Sequence, residues 1–134
     1  MYRSRAYINV NVNIKEGEIM DRVVLLNALP LNAFPPEWRD YAIQIMKAEL
    51  EDVYQDIVEA REIKCYIRHP ATVQLLQEIF EIELTPSAEA YKYNPDDIVY
   101  IVTLKTPQRG KEATEVSLED VEFYEMYASE GVWL

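Results

Sequence analysis

Glycine occurs three times in 134 residues, and histidine and cysteine once each. Glycines at positions 17, 110 and 131 are too scattered to form a phosphate-cradling loop, which needs several within one short run. The one cysteine, Cys65, cannot close an internal disulfide. Between Lys64 and Tyr66 in a strand-like stretch, it reads as packing rather than chemistry. One His and one Cys exclude an internal His/Cys metal cage, and no carboxylate run has calcium-loop spacing, so neither a metal nor a cofactor is expected. Cations are also scarce: 13 Lys and Arg against 24 Asp and Glu give a net charge of −11. That balance argues against binding long nucleic acid, which needs a basic footprint. It leaves room for a small anion in a local basic pocket. No run approaches the roughly 18 apolar residues of a membrane helix, and the N-terminus has no signal-peptide core. The expectation is a soluble cytoplasmic protein with no membrane partner. Few glycines beside seven prolines suggest rigid turns, a trait consistent with a thermophile.

What is present is ample apolar patterning, 49% of the chain, enough for one domain with a real core. Residues Tyr7 to Ile14 alternate, with Ile8, Val10, Val12 and Ile14 opposed to Asn9, Asn11 and Asn13. This predicts a strand with one buried face. The continuous run Arg22 to Leu26 predicts a strand covered on both faces. An apolar loop follows, Asn27 to Pro36, and is expected to pack or to line a pocket. Tyr41 to Met46 reads as a strand, Glu49 to Arg61 as an amphipathic helix, and Ile63 to Ile67 as a brief strand. Pro70 to Phe80 carries a second apolar stripe at helical spacing. Glu89 to Tyr93 and Ile98 to Leu104 read as a hairpin turning through Asn94-Pro95-Asp96-Asp97. Glu119 to Tyr127 predicts a last strand, with Ser117 and Asp120 capping one helical turn before it. The fold class is α/β: one domain over 1–134, a mixed sheet of about five to six strands with two main helices packed on it.

His69 is the most informative position. Pro70 reads as the first residue of a helix, so His69 falls at the cap. An imidazole beside Arg68, at a ring of unpaired backbone N–H groups, suits a phosphate. The plainer reading is that His69 ends a strand and turns the chain. A second basic cluster follows the Ile98–Leu104 strand, where Lys105, Arg109 and Lys111 occur with no acid among them. It reads either as an anion clamp or as an ordinary exposed loop. No serine sits in a nucleophile-elbow setting. The chemistry left open is metal-free phosphoryl or RNA-type cleavage, in the latter of which a ligand 2′-hydroxyl attacks the neighbouring phosphorus. The protein then aligns the attack, stabilises charge and protonates the leaving 5′-oxygen. A histidine, titrating near neutrality, suits the last task. Tyr66, Tyr91, Tyr93 and Tyr100 are candidates to stack adenines, with sheet packing the alternative.

Three stretches resemble the small anti-CRISPR ring nucleases of crenarchaeal viruses. Leu26-Asn27-Ala28-Leu29-Pro30-Leu31-Asn32 looks like that family's strand and its Asn-Ala-Phe-Ser-Leu-Asn type loop. Ile67-Arg68-His69-Pro70-Ala71-Thr72-Val73-Gln74-Leu75-Leu76 is similar to its Ile-Gly-His-x-x-Thr-x-x-Leu-Leu segment. Val99 to Gly110 is similar to its strand running into an Arg-Leu-Pro-Glu-Gly type loop. The likeness covers about residues 22–127, leaving 1–20 as an extra N-terminal strand. The resemblance implies a homodimer with a cleft across the two-fold axis, which binds cyclic tetra-adenylate and cuts it without metal into linear di-adenylate. It implies His69 as general acid and Asn27 and Asn32 as ligand contacts. Arg68, Lys105, Arg109 and Lys111 are the further candidates for ligand binding. The location implied is the cytoplasm of a host cell. Three positions depart from the pattern: the loop Ser is Pro30, the Gly before the His is Arg68, and the second catalytic residue, a Glu, is Arg109. A guanidinium stays protonated, so Arg109 can bind phosphate but cannot act as a base. The alternative expectation is therefore a non-catalytic protein that sequesters a cyclic nucleotide or a host protein.

Overall fold

The computed structural model describes residues 22–105 and 117–131. The strand expected over Tyr7 to Ile14, and Arg109 and Lys111 of the basic loop, lie outside them. Five strands form one mixed sheet: β1 (Arg22–Leu26), β2 (Tyr41–Ala48), β3 (Glu62–Cys65), β4 (Asp97–Leu104) and β5 (Val121–Glu130), in the order β2-β5-β4-β1-β3. β1 runs parallel to β3 and β4, while β5 is antiparallel to both β4 and β2. Two helices, α1 (Leu50–Glu59) and α2 (Pro70–Phe80), complete the α/β architecture expected from the sequence.

The apolar run of β1 is buried on both faces, as its composition predicts. Val23 and Leu25 join Val53 and Ile57 of α1 and Val73, Leu76 and Phe80 of α2 in one core. Val24 and Leu26 face the other way, into a core closed by Ala33, Phe34, Tyr91 and Tyr93. Helices thus cover one face and aromatic loop segments the other. Phe34 lies between the rings of Trp38, Tyr41 and Tyr93, with centroids 5.7, 5.5 and 5.2 Å away. This is where the apolar loop after β1 packs. Its tip does not pack: Leu29 and Leu31 are exposed. Ser117 and Asp120 make the expected reciprocal cap of the 3-10 turn Leu118–Asp120.

The expected hairpin is not formed. Residues 89–93 carry no strand, and the neighbours of β4 are β1 and β5. Both sides of β4 are filled by distant segments, so the chain before it is pushed over the sheet face. There Tyr93 donates its N–H to the Ala33 carbonyl at 2.9 Å. Its hydroxyl donates to the Ala128 carbonyl at 3.2 Å and accepts the Ala128 N–H at 3.0 Å.

The stretch also supplies the buried polar cluster at the opposite end of the sheet from His69. Arg22 and Asp97, the first residues of β1 and β4, are register partners. Arg22 donates from Nε and Nη2 to the two carboxylate oxygens at 2.9 and 2.8 Å, and the Tyr91 hydroxyl donates to Asp97 Oδ2 at 2.6 Å. A bidentate pair of this kind fixes the register of two strands as well as neutralising charge. Burial first, and the adjacent carboxylate second, push the Tyr91 phenol well above its ordinary value. A raised folded-state pKa stabilises fully below the unfolded value of about 10 and is lost as pH rises through the folded one. Stability should therefore fall above pH about 10. Tyr91→Phe should make that decline shallower while costing about 1.5–3 kcal/mol at neutral pH for the lost bond to a carboxylate. Urea unfolding between neutral pH and pH 11 checks both.

Candidate functional site

Three parallel strands release the chain at one end of the sheet. The Tyr66 N–H donates to the Leu25 carbonyl at 2.9 Å, holding β1 and β3 together one residue beyond their ladder. The chains then part, one through Asn27 and Ala28, the other through Arg68 and His69 into α2. β4 leaves the same end at Leu104 and Lys105, and the Lys105 N–H donates to the Asp120 carbonyl at 2.7 Å. Leu26 pairs with Ile101, so Lys105 stands four residues, about 13 Å, beyond the end of β1. The carboxyl ends of parallel strands are where open α/β sheets hold ligands. Asn27, Arg68, His69 and Lys105 all occupy that end, and the Asn27, Arg68 and Lys105 side chains are exposed. Asn32 lies exposed in the 3-10 turn Leu31–Ala33, within the loop that leaves β1.

His69 is the N-cap of α2, with Pro70 following it. Its Nδ1 accepts the Thr72 backbone N–H at 3.3 Å and lies 2.9 Å from Thr72 Oγ1. In the neutral ring Nδ1 is therefore the acceptor and Nε2 carries the proton. In the imidazolium, Nδ1–H can donate to the same hydroxyl. Thr72 is buried, at 4% exposure, so its hydroxyl is a fixed support for the ring in either state. The ring is half-buried, and no hydrogen bond among the described residues engages Nε2.

The cap geometry corrects one expectation. A helix start normally offers several unpaired N–H groups. Here Pro70 has none, and the Thr72 N–H is taken by the imidazole itself and by the His69 carbonyl, at 3.1 Å. Of the first three helical residues only Ala71 keeps its N–H for a ligand. Anion attraction at this site thus rests on the side-chain cations. Arg68 also lines a shallow groove of about 490 Å³ along α2 with Pro70, Val73, Gln74, Gln77, Glu78 and Pro86. Thr72, read from the sequence as part of the apolar stripe and as the Thr of the His-x-x-Thr segment but with no role of its own, is the site residue that pattern reading missed. The signal was its position three residues after a capping side chain.

The tyrosine candidates are corrected as well. Tyr91, Tyr93 and Tyr100 are buried, at 7%, 7% and 0% exposure, and Tyr66 rests on Tyr91 with centroids 5.2 Å apart. Tyr100 donates to Asp56 Oδ2 at 2.6 Å, tying β4 to α1. Tyr91, Tyr93 and Tyr100 serve the core and are closed to a base, whereas Tyr66 keeps part of its surface exposed. Cys65 packs as expected: it is buried, with Sγ 3.9 Å from the Ile67 carbonyl, and burial raises its thiol pKa.

Residues 23–127 match the sequence profile of the family described as STIV B116-like. The chain belongs to the STIV B116-like family. Among solved structures it is similar to B116 of Sulfolobus turreted icosahedral virus, at 23% identity and a TM-score of 0.61. The match covers 79% of this chain and 98% of that one, and it establishes a shared fold. No curated protein matches the chain. The family match begins at Val23, one residue into β1, and ends at Tyr127 in β5. All five strands and both helices fall within it or overlap it, as do His69, Thr72 and the two asparagines. No helix among the described residues is long and apolar enough to cross a membrane.

Proposed function

We propose that this STIV B116-like protein is a metal-independent ring nuclease that opens cyclic tetra-adenylate into linear di-adenylate. It would work as a homodimer, countering type III CRISPR defence in the cytoplasm of a virus-infected archaeal cell. The observation that carries the reading is His69 at the carboxyl ends of three parallel strands. There its Nδ1 is held by Thr72 and its Nε2 is left for a ligand. In this reading the substrate's own 2′-hydroxyl attacks the adjacent phosphorus, its proton passing to solvent water; the P–O2′ bond forms as the P–O5′ bond breaks, leaving a 2′,3′-cyclic phosphate end. The imidazolium gives its Nε2 proton to the departing 5′-oxygen. Arg68 and Lys105 offset charge on the phosphate, with Arg109 and Lys111 as further cations from the basic loop. Asn27 and Asn32 donate amide hydrogen bonds to the ring. The proton given to the leaving oxygen comes from a side chain and the charge is met by cations of the chain, so EDTA should leave the rate unchanged. Incubating cyclic tetra-adenylate with excess protein in EDTA and separating the products checks this. An intact ring after many hours would rule out the enzyme.

One observation favours a second reading. Arg109 stands where the ring-nuclease pattern has a glutamate, which takes a carboxylate away from the reacting centre. A sequestering protein would hold the ring through the same cations without opening it. Calorimetry showing tight binding, with the ring recovered whole, would establish that alternative.

A further inference from the structure

The groove along α2 is a built feature with two fixed walls. One wall is the helix itself, where Pro70, Gln74 and Glu78 recur every four residues on one face. The other is the segment around Pro86. The Leu84 N–H donates to Gln77 Oε1 at 2.8 Å, Pro86 bridges Cys65 of β3, and the Ser87 N–H donates to the Cys65 carbonyl at 2.8 Å. The volume, about 490 Å³, falls within the roughly 300–1,000 Å³ of small-ligand sites. Arg68 and Pro70, the two neighbours of His69, both line it, so the groove opens beside the imidazole. Past Arg68 its lining holds no cation, and Glu78 adds a carboxylate. Such a lining repels a phosphate and suits a flat group that presents N–H donors.

We propose that this groove is a base subsite, in which Gln74 and Glu78 select adenine while Arg68 holds the phosphate of the same nucleotide. The inference rests on the reading that the site takes cyclic tetra-adenylate, whether or not it opens the ring. Three observations select this occupant. The first is hydrogen bonding. A glutamine amide meets adenine twice, donating to N7 and accepting from N6. Gln74 is exposed, and its Nε2 lies 3.4 Å from Glu78 Oε2. A bond that long is weak, so the amide gives it up to a base at little cost. The Glu78 carboxylate then accepts the second N6 hydrogen. A base with a carbonyl oxygen in place of the N6 amino group, as in guanine, sets oxygen against oxygen at both residues. The second observation is apolar surface, since Val73 and the rings of Pro70 and Pro86 line the groove where a flat base lies. The third is reach. Gln74 stands four residues, about 6 Å, from Pro70 along the helix axis. Helical side chains lean toward the helix N-terminus, which brings the amide toward the Arg68 end. Phosphate on Arg68 and base on Gln74 are thus within the span of one nucleotide.

Calorimetry on the full chain with two rings tests the proposal. The probes are cyclic tetra-adenylate and cyclic tetra-inosinate, in which each N6 amino group is replaced by a carbonyl oxygen. The native chain should bind the adenine ring at least about 10-fold more tightly. Gln74→Leu should weaken binding of the adenine ring by about 10-fold and lose most of the preference. Glu78→Gln should bind the inosine ring more tightly than the native chain does, because its amide can donate to the carbonyl, while its affinity for adenine stays within a few-fold. Both positions are exposed, so thermal melting of each variant should match that of the native chain. Equal affinity of the native chain for the two rings would overturn the proposal. So would a preference undiminished in Gln74→Leu. Both outcomes leave the ring-opening reading standing, whereas a native chain that binds neither ring would overturn that reading and this subsite together.

Discussion

His69→Asn should slow the proposed ring opening by about 10²–10⁴-fold while leaving the fold intact. Asparagine is among the best N-cap residues, so α2 keeps its cap over Thr72. The proposed proton donor is lost, and removing a general acid lowers rate by about 10²–10⁴-fold. Binding of cyclic tetra-adenylate should change only a few-fold, because the cations and asparagines remain. The two effects separate in a single-turnover assay run beside calorimetry. His69→Ala is less informative, since it removes the cap as well, at a cost of about 1 kcal/mol. Cleavage by the asparagine variant at the native rate would move the acid elsewhere.

Asp97→Ala should produce the largest loss of stability. The carboxylate is 3% exposed and accepts both Arg22 bonds and the Tyr91 hydroxyl. Without it the Arg22 guanidinium and the Tyr91 phenol lose the acceptor they share. Breaking one side of a buried ion pair costs about 3–5 kcal/mol. The Arg22 side chain is 27% exposed and can reach water, which places the expectation at about 3 kcal/mol. That is a large part of a typical 5–15 kcal/mol, and corresponds to a fall in melting temperature of about 10 °C. The double variant Arg22→Leu/Asp97→Leu should recover part of the loss, since it leaves no orphan charge. Urea unfolding of the three proteins measures this, and a single-variant loss under about 1 kcal/mol would contradict the role given to Asp97. The cluster lies at the far end of the sheet from His69, so ring opening by the residual folded protein should be unchanged.

Local signals in the chain were readable where their cause is local. Pro70 after His69 marks a helix start because proline has no N–H to lose there. Ser117 and Asp120 announce their cap by spacing alone. The double burial of β1 follows from an unbroken apolar run. Partnership between distant strands was not readable, because period-2 alternation says which way side chains point and not what lies beside them. Tyr91 and Tyr93 alternate as a strand would, yet β4 is already flanked by β1 and β5. A clue to the β1–β4 pairing was present in Arg22 and Asp97, opposite charges that each open an apolar run. At the candidate site, His69 and its cap were legible. The use of the Thr72 N–H by the imidazole was not, because it depends on how the ring is turned.

The most direct test of the account is a structure of the complex with a cyclic tetra-adenylate analogue lacking its 2′-hydroxyls, which binds but cannot be opened. His69 Nε2 should lie within about 3.2 Å of a 5′-oxygen at one phosphate, with Nδ1 still on Thr72 and Arg68 against the phosphate oxygens. A ring seated away from the carboxyl ends of β1 and β3, or an imidazole facing no phosphate, would contradict it.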